Sequence, residues 1–238
     1  MDRLLLTCTQ VSTYLGNNAL TTASGFFFSH DERLFLVTSR HVVTDPQAGH
    51  HPDRIALALH VDATDLTQVV AVSLPLYVNG LSQWRQGEDS GGAIDVAALE
   101  IDRKLLPANA QIESFTLDDL QTVLEDIAIG TPLLILGFPR GFHDTRHHLA
   151  VARQAAVASA FGVRFQGQGC FLTDARTHRG MSGAPVVMRT ARHQGPLRAT
   201  LLGIHSSTMD VSGRDQLLDD ALGLNVAWYA DILLTLTA

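Results

Sequence analysis

Cysteine is scarce. Cys8 and Cys170 are the only two in 238 residues, so one disulfide is the most the chain can form. Secreted domains that depend on disulfides usually carry several. Both are therefore read as reduced thiols in apolar surroundings, in a cytoplasmic protein, with a single bridge between them as the alternative. Long hydrophobic runs are missing too. The N-terminus has the apolar triplet Leu4-Leu5-Leu6 but no run of signal-peptide length. A mature form whose leader has been removed stays open. No segment approaches the roughly 18 apolar residues of a membrane-spanning helix. Nor is there a lysine- or arginine-rich run, and the net charge is −7, which argues against nucleic acid or an anionic membrane as partner. What is present, 46% hydrophobic and 17% charged residues, belongs to a compact chain with a core and not to a disordered one. The length suits one large domain or two small ones that share an interface.

Short strands and turns fill most of the sequence. Residues 24–29 and 34–38 form a hairpin about the polar turn His30-Asp31-Glu32-Arg33. Residues 45–53, rich in Pro, Gly, His and Asp, make a loop. Ile55, Leu57, Leu59 and Val61 alternate at period two, as a half-buried strand does. Further strands are expected over 69–78 and 94–101. Thr116 is placed to cap a short helix with Asp118 and Asp119 in its first turn and Leu117, Leu120, Leu124 and Ile127 on one face. A second set of strands follows over 132–139, 151–159, 163–173, 184–188, 200–205 and 222–226. The chain closes with a helix whose apolar stripe is Trp228, Ile232, Leu233 and Leu236. Two blocks of short strands fit an all-β fold of two antiparallel barrels, although on strand pattern alone a β-sandwich serves nearly as well.

Three residues carry chemistry together that none would carry alone. A serine hydroxyl is too weak a nucleophile at neutral pH without a nearby base, a group that orients the base, and N–H donors for the developing oxyanion. Ser182 lies in Gly180-Met181-Ser182-Gly183, where small flanking residues let the backbone turn sharply and bring the N–H groups of Gly180 and Ser182 to one point. His41 follows the apolar strand ending Val37-Thr38-Ser39-Arg40, and Asp95 enters the apolar strand Val96-Ala97-Ala98-Leu99. A buried carboxylate is costly without a partner, and His41 would be one. Taken singly, His41 is one of 11 histidines, Asp95 a strand-end residue, and the serine part of an ordinary glycine turn.

The hairpin ending in Thr38-Ser39-Arg40-His41, the Asp95 strand, Gly137-Phe138-Pro139-Arg140-Gly141, Thr173-Asp174-Ala175 and Gly203-Ile204-His205-Ser206 stand in a set order around Ser182. In this order the sequence resembles the chymotrypsin/trypsin-like serine peptidases, above all their bacterial HtrA-type and glutamyl-endopeptidase-like branch. The resemblance covers about residues 24–226. It implies two antiparallel six-stranded β-barrels with a short interdomain helix and a C-terminal helix. The N-terminal barrel would span 1–113, the linker helix 114–128 and the C-terminal barrel 129–238. It also implies that Ser182 attacks a peptide carbonyl, His41 moves the proton, Asp95 orients His41, Ser206 supports Asp95, and the Gly180 and Ser182 N–H groups bind the oxyanion. No metal or cofactor is needed, and the doubled histidines at 50–51 and 147–148 are read as solvent-facing loop residues. Met181 stands where digestive members carry an aspartate, which disfavours activation by N-terminal cleavage. The chain ends about a dozen residues after its last strand, with no room for a PDZ domain.

Arg176, Thr177 and His205 fall where such peptidases bind the side chain before the cut. Glutamyl endopeptidases are similar in placing threonine and histidine there, and Arg179 would add field. Glu or Asp before the scissile bond is one reading, and a merely packed His205 the other. The expected partner is a protein or peptide substrate. The alternatives are a catalytically silent binding module or scaffold of the same fold, and an esterase using the same triad.

Overall fold

The computed structural model describes residues 2–121, 127–189, 196–209 and 223–238. Strands β1 (Cys8–Leu15), β2 (Asn18–His30) and β3 (Arg33–Thr38) form an antiparallel meander, and the one-turn helix α1 (Arg40–Val43) follows. β4 (Arg54–His60) returns to pair with β1, and β5 (Val69–Pro75) pairs with β4. After the small hairpin of β6 (Tyr77–Val78) and β7 (Leu81–Ser82), β8 (Trp84–Asp89) and β9 (Gly92–Ile101) complete the sheet, with β9 against β3. The second unit holds β10 (Pro132–Gly137), β11 (Val151–Val157), β12 (Cys170–Ala175), β13 (Pro185–Arg189), β14 (Ala199–Thr208) and β15 (Leu224–Tyr229). These six close into a barrel in the order β10-β11-β12-β15-β14-β13. Helix α2 (Ile232–Leu236) ends the chain.

The N-terminal unit differs from the six-stranded barrel expected of it. It is a seven-stranded sheet in the order β5-β4-β1-β2-β3-β9-β8, with β5 and β8 at its edges. Alternation overlooks β8 at one edge and β1, which lies inside the sheet between β4 and β2. In β1, Thr9 and Thr13 are buried because they bond across the sheet. The Thr9 hydroxyl donates to Ala58 O at 3.0 Å, and the Thr13 and Thr21 hydroxyls meet at 2.8 Å.

Three other expectations shift locally. Thr116 does start a helical turn, with the Asp119 carboxylate accepting from its N–H at 2.8 Å and its hydroxyl at 3.0 Å. The turn is a 3-10 helix over Leu117–Asp119, however, and Leu120 is already extended; the part of the expected helix around Leu124 lies outside the described residues. Trp228 belongs to β15, opposite Cys170 and Ile204, and not to the final helix. The expected strand over 163–173 begins only at Cys170, because positive φ at Gly162, Gly167 and Gln166 keeps the preceding segment in turns.

The Phe26-Phe27-Phe28 triplet links the two units. Side chains alternate along a strand. Phe27 thus joins the sheet's own core with Leu36, Ile55, Leu57 and Leu99. Phe26 and Phe28 face the barrel, sharing a core with Val37, Val96, Leu136, Val187 and Leu201. All three rings are at most 1% exposed, and each burial is worth about 1.5–3 kcal/mol. Cys8 and Cys170 sit free in this shared core, and burial pushes the Cys8 thiol up to about 12.

Candidate active site

The junction of sheet and barrel brings His41 and Asp95 together. β3 ends at Thr38, Ser39 is extended, and α1 lifts His41 above the start of β9. The Asp95 carboxylate accepts three hydrogen bonds: from His41 N at 2.9 Å, His41 Nδ1 at 2.7 Å and the Ser206 hydroxyl at 2.6 Å. A carboxylate only accepts, so the His41 proton sits on Nδ1 and Nε2 keeps a free lone pair. Burial drives the Asp95 carboxyl up, but its bonds to His41 and Ser206 win and hold it below its ordinary value. Burial likewise pulls His41 down, while the bond and charge of Asp95 outweigh it and leave the imidazole more basic than usual.

Ser182 lines the same cleft as His41. Its hydroxyl donates to Ser206 O at 3.0 Å, and among the described residues no hydrogen bond joins Ser182 to His41. Ser206 therefore touches both ends of the array, through its hydroxyl to Asp95 and its carbonyl to Ser182.

The loop that presents Ser182 is fixed from three sides. Arg140 N donates to Arg179 O at 2.5 Å. A trans peptide sets its C=O and N–H on opposite edges, so the Gly180 N–H faces away from the 138–141 turn. Neither the Gly180 nor the Ser182 N–H reaches an acceptor among the described residues. Gly180 holds φ +93°, and a Cβ there would lie 2.5 Å from Phe138 O, so only glycine fits. Behind the loop, Gly183 N donates to His205 O at 2.8 Å. From the sheet side comes Ser24, a residue that sequence reasoning placed merely in a strand. Ser24 N donates to Ser182 O at 3.0 Å, and its hydroxyl donates to Gly180 O at 2.7 Å while accepting from Phe138 N at 2.9 Å. Nothing in the local sequence signals a contact that spans 156 positions. Removing this hydroxyl strands two buried backbone groups. Ser24→Ala is expected to cost about 1–3 kcal/mol, read as a lower urea midpoint with unchanged m-value. Met181 is fully buried in the barrel core.

On the barrel side of Ser182, Thr177, His205 and Asn225 line the cleft floor together with Arg176. Asn225 Nδ2 donates to Ala175 O at 2.7 Å and Gly223 O at 2.9 Å, which fixes the amide so that its oxygen faces Thr177. The Thr177 hydroxyl donates to that oxygen. Its proton is therefore engaged and is not free for a ligand carboxylate. His205 is 2% exposed and its Nδ1 has no partner among the described residues. Burial, and then the charge of His41, lower it from 6.5 to about 4. The unfolded chain thus takes up the proton first as pH falls. The contribution is complete above pH 6.5 and is lost as pH drops from 6.5 to about 4, by about 3 kcal/mol. Urea unfolding at both ends of that window checks this, and His205→Gln, which cannot titrate, should lack that share.

The paired histidines are less idle than expected. His50 Nε2 meets Val42 O at 3.0 Å, and His147 Nδ1 meets Asp144 at 2.6 Å. His148 stacks on His143 with ring centroids 5.2 Å apart. Of the four, His51 is exposed and the other three are half-buried.

The trypsin-like peptidase domain model covers residues 23–195. The chain belongs to that family. Among solved structures similar to this trypsin-like fold is the HtrA-type protease AlgW with a tripeptide, with 18% identity, a TM-score of 0.59, and coverage of 99% of this chain and 60% of that one. The serine endoprotease from Yersinia pestis has 16% identity and a TM-score of 0.57, covering 99% of this chain and 62% of that one. A scabies mite inactivated protease paralogue has 19% identity and a TM-score of 0.61, covering 99% and 94%. At such identities the likeness speaks for the fold alone. The chain spans about three fifths of the length of the HtrA-type structures it matches. No curated protein matches the sequence.

Proposed function

We propose that the chain is a serine endopeptidase working through an acyl-enzyme, with Ser182 as nucleophile, His41 as base and then acid, and Asp95 as the group that orients His41. The observation that carries this reading is the His41 ring, locked by Asp95 with Nε2 free, above a cleft that presents Ser182 and two unengaged N–H groups. Rotation about the Ser182 Cα–Cβ bond takes Oγ from Ser206 O toward His41 Nε2. The hydroxyl then attacks a peptide carbonyl as its proton passes to Nε2. The Gly180 and Ser182 N–H groups receive the oxyanion, and the imidazolium returns the proton to the departing amine. Water repeats the cycle on the acyl-enzyme. The peptide in the AlgW structure is consistent with a peptide substrate here.

For the residue before the cut we propose Glu or Asp. With the Thr177 proton engaged by Asn225, the donors left for a carboxylate are His205, through Nε2–H, and Arg176. Profiling a peptide library tests this, and a preference for large apolar or basic residues would overturn it.

One observation favours a silent binding module instead: the resting Ser182 hydroxyl lies on Ser206 O and not on His41. The two readings separate on incubation with a fluorophosphonate. A covalent adduct on Ser182, absent in Ser182→Ala, supports the peptidase; folded protein that forms none is a binding module.

A further inference from the structure

We propose that the cleft recognises peptide segments rich in aspartate and glutamate on both sides of the scissile bond, through Arg140, Arg153, Arg176 and Arg179. This deepens the endopeptidase reading above and rests on it for the position of the cut. The four arginines come from three separate places: the turn after β10, strand β11, and the loop that leads to Ser182. No run of basic residues announces them in the sequence, yet the fold gathers them around one opening beside His41 and Ser182.

Three facts distinguish this set from an ordinary charged surface. Among the described residues, no aspartate or glutamate lines the opening on the His205 side, and on the other side, toward Leu20 and His50, Asp45 is the one carboxylate that does. None of the four guanidinium groups has an ion pair or hydrogen bond among the described residues, whereas Arg3, Arg54, Arg85 and Arg164 each meet a carboxylate. The chain as a whole carries −7, so four cations in one cleft without a partner among the described residues are a segregation of charge, not a sample of it.

The chemistry points to carboxylates. The chain has a single lysine, Lys104, and sixteen arginines. The planar guanidinium fork pairs with a carboxylate through two parallel hydrogen bonds, which a lysine ammonium does not. His205, held neutral at pH 7, adds no charge of its own, so the arginines supply the field there. A cleft of one sign with low-dielectric walls concentrates counter-charged ligands. Arg153 and Arg176 line only the His205 side, where the endopeptidase reading puts residues before the cut, while Arg140 and Arg179 line both sides and, on that reading, reach residues after it. The net charge of −7 disfavours a long polyanion, so the occupant that fits is a short acidic stretch of polypeptide and not nucleic acid.

The experiment compares fluorogenic peptides with Glu before the cut and either alanine or glutamate at the flanking positions, at low and high salt. Acidic flanks are expected to raise kcat/KM about tenfold, mainly through KM, with the advantage shrinking as salt rises. Arg153→Gln should reduce the ratio of acidic to neutral cleavage for acids before the cut. A second arm does not need turnover. Ser182→Ala protein should bind a fluorescent glutamate-rich peptide about tenfold more tightly than its alanine counterpart, by anisotropy, and Arg153→Gln should weaken that preference. Equal cleavage and binding of both peptides, a ratio unmoved by Arg153→Gln, or equally tight binding of a single-stranded oligonucleotide would each overturn the proposal. If fluorophosphonate leaves Ser182 unlabelled, the peptidase reading fails, and the binding arm still decides the role of the arginines.

Discussion

Ser182→Ala is expected to lower kcat for peptide cleavage by about a million-fold, the largest effect of any single change in this protein. The size follows from how the parts depend on one another. Without Oγ there is nothing for His41 to activate and no acyl-enzyme to form, so His41 and Asp95 contribute almost nothing further. What remains is the positioning of substrate beside the Gly180 and Ser182 N–H groups. Stability should change little, within about 1 kcal/mol, because Ser182 is only partly buried and its hydroxyl makes one hydrogen bond, to Ser206 O. Single-turnover cleavage and thermal unfolding on the same preparation separate the two quantities. A variant that retains measurable peptidase activity near the wild-type level would remove Ser182 from the chemistry.

Asp95→Asn is expected to cost about ten-thousand-fold in kcat with the fold intact. Asp95 accepts three protons in the native array, from His41 N, His41 Nδ1 and Ser206 Oγ. An asparagine presents one oxygen and one NH2 group. If the oxygen keeps the His41 N–H, the NH2 group faces Nδ1 and forces the ring proton onto Nε2. That tautomer has no lone pair with which to take the Ser182 proton. The pH profile gives an independent readout. His41 must be neutral to act as base, and Asp95 raises its pKa, so the acid limb of kcat/KM should lie above the ordinary 6.5 in the native protein. In the Asn variant the main raising charge is gone, burial and the Arg40 charge are opposed only by the weaker influence of Asp45, and the limb should move to lower pH. A limb that stays in place would mean another group sets it.

Much of this site was legible in the sequence, because its parts are local and ordered. His41 follows a strand that ends sharply, Asp95 opens one, and Gly180 and Gly183 bracket Ser182 with φ of +93° and +84°. Ser206 was placed beside Asp95 by resemblance, and its hydroxyl lies there. What escaped reading is what acts at a distance. Ser24 and Arg140 hold the Ser182 loop through backbone groups, and a backbone hydrogen bond leaves no mark on composition or periodicity. β1 was overlooked for a related reason. Alternation detects strands whose polar residues face water, whereas Thr9 and Thr13 are buried with their hydroxyls satisfied. The open seven-stranded sheet in place of a second closed barrel is a matter of edges, and edges are decided by which strands meet and not by any one strand's pattern. The C-terminal helix was over-extended to Trp228 because a large apolar residue suits a helix stripe and a barrel strand equally.

The double grip of Ser206 has a consequence for how the protein behaves when nothing is bound. With the cleft empty, the Ser182 proton is shared with a peptide carbonyl, and the oxygen carrying it is an ordinary alcohol. Its latent reactivity is set by the fraction of time the side chain spends turned toward the imidazole. One hydrogen bond of about 1 kcal/mol makes that a several-fold restraint. Whatever competes for the Ser206 carbonyl would lift it.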